Sequence, residues 1–139
     1  MTMANAKDIV LVVEDETLLL QAITKKLEIN DLEVVSCVRG EQAIDYLENL
    51  PELPSAIWLD YYLKDMNGLE FMHELRKNPK WEHIPVVVVS NSASSEKQHN
   101  MLALGVNKYL LKAEYRLDEI IDIVKGFIES ESKHKKTKQ

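Results

Sequence analysis

The sequence predicts an α/β protein, a (βα)5 fold with one doubly wound, five-stranded parallel sheet. Short apolar runs of strand length alternate with stretches in which apolar residues recur every three or four positions, as they do in helices. Most of these runs are apolar at every position, which is typical of parallel strands covered by helices on both faces. The length of 139 residues fits one domain that can bury a core without a disulfide or a metal.

The strands are assigned from the apolar runs and from the residues that interrupt them. They are expected at residues 9–13, 32–38, 56–59, 86–89 and 108–111. The second run mixes apolar and polar residues, which predicts a half-buried strand, and Gly40 breaks the chain after it. Pro85 introduces the fourth run.

The helices are assigned from apolar residues at helical spacing and from the residues that stop them. Pro51 ends the second helix, which begins near residue 41, and the Asn-Pro pair at 78–79 ends the third. Ser95 and Gln98 have capping-box spacing at the start of the fourth helix, and Gly105 is expected to cap its end. The inward positions of the other helices are expected to be Leu20, Ile23 and Leu27; Ala43, Ile44 and Leu47; Leu69, Met72 and Leu75; and Leu117, Ile120, Ile121, Val124, Phe127 and Ile128.

The charge distribution argues against a nucleic-acid-binding protein. The formal net charge is −6, but four lysines lie within the last seven positions, so the first 132 residues carry 13 basic and 23 acidic side chains. Such an acidic body repels nucleic-acid phosphates. Residues 1–130 are therefore expected to form the domain, and residues 131–139 a short, disordered and solvated lysine-rich tail.

Other features of the composition are also informative. No apolar stretch approaches the roughly 20 residues of a membrane span, and no signal-peptide pattern is present. Cys37 is the one cysteine and is interpreted as a core residue, which fits a reducing cytoplasm. The four histidines have no metal-ligand or triad spacing and are interpreted as surface or structural residues: His73, His83, His99 and His134.

Polar residues follow the predicted strands at the edge where an open α/β sheet binds its ligands. They are Glu14, Asp15 and Glu16 after the first strand, Arg39 after the second, Asp60 after the third, Ser90 and Asn91 after the fourth, and Lys112 after the fifth. Carboxylates gathered at one edge repel one another unless they share protons or bind a cation, and oxygen ligands favour Mg²⁺ or Mn²⁺ over zinc. With a hydroxyl and an ammonium opposite, the set suits a phosphoryl group, which a carboxylate can accept as an acyl phosphate.

Each of these residues also has a simpler interpretation. Glu14 and Glu16 could be acids that the helix dipole stabilises at the start of a helix, and this interpretation is preferred for Glu16. Ser90 alone could be a turn hydroxyl, and Lys112 alone could be a surface lysine. Their coincidence at the strand ends of one sheet edge favours a common site.

The ordered set resembles the receiver domain of two-component response regulators, especially single-domain, chemotaxis-type members. The resemblance covers nearly the whole chain, from about residue 8 to residue 127, and is carried by the runs IVLVVEDE, IWLDYYLKDMNGLEF, PVVVVSNSAS and GVNKYLLKAEY. The spacings agree too: 45 residues from Asp15 to Asp60, 30 from Asp60 to Ser90, and 22 from Ser90 to Lys112. The family implies the flavodoxin-like strand order 2-1-3-4-5.

The resemblance implies a role for each matching residue. Asp60 would be the phosphoacceptor. Mg²⁺ (or Mn²⁺) would be held by Glu14, Asp15, the Asp60 carboxylate and the backbone carbonyl of Tyr62. The phosphate would be bound by the Ser90 hydroxyl, the Asn91 backbone N–H and Lys112. Ser90 and Tyr109 would form the conformational switch, and Gly68 matches the glycine that starts the third helix.

The resemblance also implies partners and a mode of action. A histidine kinase or histidine phosphotransfer domain would donate the phosphoryl group, and the last two helices with the last strand would contact an output protein. Phosphorylation-dependent homodimers are compatible with this role, whereas direct nucleic-acid or membrane binding is not expected. The protein would be cytoplasmic and would not be an enzyme beyond phosphoryl transfer to itself and autodephosphorylation.

The sequence departs from the family at three positions. Ala113 replaces the proline that usually follows the lysine in a cis peptide bond, and a cis bond before a non-proline residue costs roughly 2.5–4 kcal/mol. Asn91 replaces a small residue, and Tyr62 is bulky at a position that influences phosphate hydrolysis in the family. Asn91 and Tyr62 predict a long-lived phosphorylated state.

Three alternatives remain at this stage. A Mg²⁺-dependent phosphatase of similar topology usually has a second acid two residues after its nucleophile, where this chain has Tyr62. An FMN-binding protein would need a hydroxyl-rich loop after the first strand, where this chain has carboxylates. A receiver cut from a larger kinase or transcription factor is disfavoured because the last helix leads into a polar tail, so a stand-alone protein is expected.

Overall fold

A computed structural model describes residues 6–138, with side chains described up to residue 133. Five strands alternate with five α-helices, and two short 3-10 helices lie at Pro79–Trp81 and Lys112–Glu114. The strands are β1 (Ile9–Val13), β2 (Glu33–Cys37), β3 (Ala56–Leu59), β4 (Val86–Ser90) and β5 (Lys108–Leu111). The helices are α1 (Thr17–Ile29), α2 (Gly40–Asn49), α3 (Gly68–Arg76), α4 (Ser95–Ala103) and α5 (Leu117–Lys138).

The strands form one parallel sheet in the order β2-β1-β3-β4-β5, which confirms the predicted strand order. The register pairs Val13 with Leu59, and Leu59 with Val88. The carboxyl ends of β1, β3 and β4 therefore lie side by side. This alignment brings polar residues that are far apart in the sequence to one edge of the sheet.

Apolar side chains from the two faces of the sheet form two core clusters. On one face, buried residues of α2 and α3 such as Leu47, Phe71 and Met72 pack against Leu11 and Ile57. On the other, Ile23 of α1 and Ile120 and Val124 of α5 pack against Val12 and Trp58. β1, β3 and β4 are buried along their whole length, as expected for strands covered on both sides, whereas β2 at the edge is half-buried. Cys37 is buried, as predicted.

The fourth helix begins one residue earlier than the predicted capping box implies. Ser94, not Ser95, is the N-cap, and its hydroxyl accepts a hydrogen bond from the Lys97 backbone N–H at 3.2 Å. The predicted Ser95–Gln98 capping box is therefore wrong. Serine suits the N-cap equally well at residue 94 or 95, so the residue type does not distinguish them. The N-cap residue has an extended backbone, and in the structure that residue is Ser94.

A capping box is present at the start of α3. The Asn67 side chain accepts from the Glu70 backbone N–H at 2.9 Å, and the Glu70 carboxylate accepts from the Asn67 backbone N–H at 3.0 Å. These reciprocal bonds fix the start of α3 at Gly68. The predicted glycine cap of α4 is confirmed: Gly105 has a positive φ of 92°, and the Val106 N–H donates to the Met101 carbonyl.

The last helix is longer than the sequence predicts. α5 continues to Lys138, so the backbone of residues 131–138 is helical where a disordered tail was expected. Lysines lie at the end of this extension, where the helix dipole favours cations, which gives a physical reason for the continuation. The side chains of residues 134–139, including His134 and three of the four tail lysines, lie outside the described residues.

Candidate functional site

Three carboxylates meet where β1 and β3 end. Glu14 and Asp15 directly follow β1, and Asp60 directly follows β3. One carboxylate oxygen from each lies within 4.8 Å of the others, and they form the one such group of potential metal ligands among the residues whose side chains are described. Glu14 is 1% exposed and Asp60 is 7% exposed, so two of the three lie beneath the surface. The structure therefore brings together the acids that the sequence singled out.

Lys112 reaches this cluster from the end of β5. Its Nζ lies 3.1 Å from Glu14 Oε1 and 3.4 Å from Asp60 Oδ2. The peptide bond between Lys112 and Ala113 is trans, and the lysine still points at the acids. The replacement of the usual proline by Ala113 has therefore not displaced the ammonium from the site.

Glu14 is held on both sides before any ligand enters. One of its oxygens accepts from Lys112, and the other accepts from the Glu16 backbone N–H at 3.0 Å. Glu16 itself is exposed and forms the N-cap of α1, as its interpretation as a helix-start acid implies. Asp15 is half-buried at the opening of the cluster.

The charges in the cluster do not balance. Burial and the neighbouring Glu14 carboxylate raise the pKa of Asp60 to about 7, and the Lys112 ammonium only partly opposes them. Burial alone would lower the pKa of Lys112, but the Asp60 and Glu14 carboxylates raise it, so the ammonium stays charged. Three carboxylates facing one ammonium leave an excess of negative charge that a divalent cation would neutralise.

The donor set fits a hard divalent cation. All three converging side chains offer carboxylate oxygen, which Mg²⁺ and Mn²⁺ prefer, and the cluster contains no histidine or cysteine. The raised pKa of Asp60 is the mark of a buried acid that lacks sufficient positive charge around it. Glu14, Asp15 and Asp60 are the residues that would hold the metal. The Tyr62 carbonyl, predicted as a further ligand, stays a prediction.

The hydroxyl expected to bind phosphate lies at the end of β4, beside Asp60. Ser90 is fully buried and is the last residue of the strand. Its Oγ accepts a hydrogen bond from the Ser92 backbone N–H at 3.0 Å. Tyr109 on β5 donates its hydroxyl to the Ser92 carbonyl at 3.0 Å. Ser92 thus connects the two residues predicted to form the switch, whereas Asn91 is exposed and its N–H contact with phosphate stays a prediction.

The sequence did not single out Ser92, Asp65 or Lys97. Asp65, in the loop after β3, accepts the backbone N–H groups of Gly40 and Glu41 at 2.9 Å each and so caps α2. Although partial burial opposes it, these two donors hold the pKa of Asp65 below its usual value. Lys97 places its ammonium over the rings of Tyr61 and Tyr62. The local sequence carried no signal for these contacts, since each joins separate elements.

Other predicted features lie away from this cluster. His73, His83 and His99 are exposed and take no part in it.

In the part of the chain that the structure describes, no helix is long and apolar enough to cross a membrane.

Two relatives show how far the similarity extends. The phosphate regulon transcriptional regulatory protein PhoB of Rhizobium meliloti (strain 1021) is 30% identical over 118 residues, which are 84% of this chain and 50% of PhoB. The chain thus spans about half the length of that relative. Response regulator Rcp1 of Synechocystis sp. (strain ATCC 27184 / PCC 6803 / Kazusa) is 33% identical over 132 residues, with 88% of both chains covered.

Solved structures share the fold. The phosphorylated cyanobacterial phytochrome response regulator RcpA has a TM-score of 0.75 and 30% identity, with 89% of this chain and 93% of that chain covered. The Mn(2+)-bound form of Rcp1 has a TM-score of 0.73 and 28% identity, with 86% and 90% covered. The family model described as "Response regulator receiver domain" matches residues 10–125. The chain therefore belongs to the response regulator receiver domain family of two-component signalling.

Proposed function

We propose that Asp60 accepts a phosphoryl group from a histidine kinase or a histidine phosphotransfer domain, with Mg²⁺ (or Mn²⁺) bound by the neighbouring acids. The observation that carries the proposal is the position of Asp60. Its carboxylate lies at the end of a buried strand, within reach of two further carboxylates and 3.4 Å from the Lys112 ammonium. The phosphorylated RcpA and the Mn(2+)-bound Rcp1 structures support phosphorylation and metal binding by analogy.

The proposed transfer is a single displacement at phosphorus. A carboxylate oxygen of Asp60 attacks as the bond from phosphorus to the donor's histidine nitrogen breaks, and that nitrogen keeps the electron pair. Lys112, already 3.4 Å from Asp60, can shift to a phosphoryl oxygen, and the buried Ser90 hydroxyl can donate to another. When bound, a divalent cation supplies positive charge that neutralises the phosphoryl oxygens and favours the ionised carboxylate.

The proposed output is a change of protein partners. Ser90 and Tyr109 already share Ser92 as a hydrogen-bond partner, so a shift of the Ser90 hydroxyl toward phosphate would disturb the Tyr109 contact. Tyr109 lies on β5, between the last two helices that are proposed to meet the output protein or a second phosphorylated copy. The protein would act as a cytoplasmic switch without turnover of a separate substrate.

Intact-mass measurement with acetyl phosphate and Mg²⁺ tests the site. Wild type is expected to gain one phosphoryl group and Asp60→Asn none, while Asp45→Asn, an exposed aspartate on α2, should behave as wild type. Phosphorylation of Asp60→Asn, or the absence of any gain with every donor, would contradict the proposal. Turnover of a small phosphate ester would instead favour a phosphatase.

The phosphoryl group is expected to persist for minutes or longer. Tyr62 lies two residues after Asp60, and Asn91 directly follows Ser90, and we propose that both bulky side chains hinder the approach of water to phosphorus. The decay of phosphorylated protein, followed by mass after the donor is removed, measures the lifetime. Loss of the phosphoryl group within seconds would overturn this prediction.

A further inference from the structure

The first turn of α4 contains a lysine whose position the helix itself does not explain. Ser94 is the N-cap, so Lys97 occupies the third helical position. A cation there opposes the helix dipole, and glutamate or glutamine is the residue type that would complete a capping box. Local conflicts of this kind are expected where a residue serves a site rather than its own element.

Lys97 is held by two tyrosines from the loop after β3. Its Nζ lies 5.8 Å from the centre of the Tyr61 ring and 5.5 Å from that of the Tyr62 ring, within the range of a cation–π contact. The two rings meet edge to face, with centroids 4.9 Å apart and an interplanar angle of 70°. Tyr61 is buried, so it offers a fixed base against which Tyr62 and the ammonium are placed.

The Tyr62 side chain consequently connects the loop after β3 to α4. It lies two residues after Asp60 and is 50% exposed, yet its ring lies 5.5 Å from the Lys97 ammonium in the first turn of α4. Asp60 directly follows β3 and Ser90 ends β4, and these two strands are paired. The Tyr62–Lys97 contact therefore joins the loop that follows Asp60 to the helix that follows Ser90.

We propose that Lys97 is a positioning residue that holds the Tyr62 ring across the opening of the Asp60 site, where the ring slows hydrolysis of the aspartyl phosphate. The inference rests on the proposed phosphorylation of Asp60. In hydrolysis, a water oxygen forms a bond to phosphorus as the bond to the Asp60 oxygen breaks; the carboxylate leaves with the electron pair, and the proton of the water passes to solvent or to the released phosphate. The held ring restricts the approach of that water.

One substitution separates this role from simple stabilisation of the helix. Lys97→Gln removes the ammonium but places a capping-box residue at the third helical position, so the melting temperature should be unchanged or higher. The phosphoryl lifetime should nevertheless fall about two- to fivefold, the factor that corresponds to loss of an exposed cation–π contact. Lys97→Arg should retain the lifetime of wild type. Lys80→Gln, an exposed lysine in the 3-10 helix at Pro79–Trp81, is the matched control and should have no effect.

A double variant tests whether Lys97 acts on the phosphoryl lifetime through Tyr62. Tyr62→Leu should shorten the lifetime by itself, and adding Lys97→Gln should then change nothing more. A further shortening in the double variant would show that Lys97 acts on the phosphate directly and would overturn the proposal. In unphosphorylated, metal-free protein, the NMR signals of the Lys97 ε-protons should show a ring-current shift that Tyr62→Leu reduces.

The outcomes distinguish this inference from the proposed function. If wild type gains a phosphoryl group and Lys97→Gln keeps the same lifetime, the inference is wrong and the proposed function stands. If wild type gains no phosphoryl group from any donor, the proposed function fails, and the inference fails with it.

Discussion

Asp60 combines two properties that ordinarily exclude each other. Its carboxylate is 7% exposed, yet it has two other carboxylates close by and shares one ammonium with Glu14. A hydrophobic environment would favour its neutral form, and the proposed chemistry needs its ionised form. The metal-free protein is therefore electrostatically strained at Asp60, and the proposed cation binding or phosphorylation would change that balance.

This strain predicts that Asp60→Asn stabilises the metal-free protein at neutral pH. The pKa of Asp60 is about 7 in the folded state against an ordinary value of 3.8, so the folded state holds this proton more tightly than the unfolded state. Its contribution to stability is therefore largest at low pH and is lost as the pH rises from about 4 to about 7, by at most about 4 kcal/mol.

Urea unfolding at pH 5 and pH 7.5, without divalent metal, measures the effect. Asp60→Asn should be more stable than wild type at pH 7.5, and the difference should shrink at pH 5. Asp45→Asn is the control. An equal difference between Asp60→Asn and wild type at both pH values would contradict the prediction.

At the scale of single elements, the loop between β3 and α3 is tied down at both ends. Asp65 accepts two backbone N–H groups at the start of α2, and the Asn67–Glu70 capping box fixes the start of α3. The next residue after Asp65, Met66, packs closely over Gly40, so a β-carbon there would require the Met66 side chain to move. These contacts hold the loop that follows Asp60 in one conformation.

Asp65→Ala is expected to loosen this loop and the start of α2. Loss of the cap leaves two N–H donors without their carboxylate, which should lower the free energy of unfolding by about 0.5–2 kcal/mol. Hydrogen exchange at the amides of Gly40 and Glu41 should accelerate more than exchange in α5. Asp45→Ala, farther along α2, should not affect these amides. Unchanged exchange in Asp65→Ala would rule out the cap.

At the end of α1, a substitution is expected to stabilise the protein. Asp31 has a positive φ of 64°, and its N–H and that of Leu32 donate to carbonyls of the last turn. Asp31→Gly should raise the free energy of unfolding by about 0.5–1 kcal/mol, since glycine adopts this backbone conformation without a β-carbon penalty. The exposed ion pair with Lys7, at 3.4 Å, contributes little that would be lost. Asp31→Ala should not stabilise; equal gains for both variants would contradict the backbone explanation.

For the whole molecule, the site couples the sheet to its ligands. The acids follow β1 and β3, the hydroxyl ends β4 and the lysine follows β5, so a ligand bound there would contact the ends of four strands. A cation that binds this arrangement and not the unfolded chain stabilises the entire fold.

Mg²⁺ is therefore expected to raise the melting temperature of wild type. Binding at a concentration one hundredfold above the dissociation constant stabilises by about 2.7 kcal/mol. Asp15→Asn, which removes the most accessible carboxylate, should weaken the response, whereas Asp122→Asn on exposed α5 surface should leave it intact. Thermal unfolding over a Mg²⁺ series makes the comparison, and the affinity should rise with pH up to about 7, as Asp60 loses its proton. An equal response in Asp15→Asn would exclude that residue as a ligand.

The order of the elements and the members of the site could be read from the sequence because both have local signals. Apolar runs and helical spacing are properties of neighbouring residues, and the polar residues that follow the strands mark the edge where parallel strands end. Glu14, Asp15, Asp60, Ser90 and Lys112 were identified in this way, and the structure places them at one edge.

Contacts between elements required the tertiary structure. The Lys112–Glu14 pair joins residues 98 positions apart. Asp65 caps α2 by accepting from Gly40 and Glu41, which lie 25 and 24 positions earlier in the sequence. Ser94 rather than Ser95 caps α4, and Lys97 rests on tyrosines from another loop. Such contacts depend on the distance and direction between side chains of packed elements, and sequence spacing contains neither. The sequence by itself thus determined which groups meet at the sheet edge, and only the tertiary structure decided how those groups are paired and held.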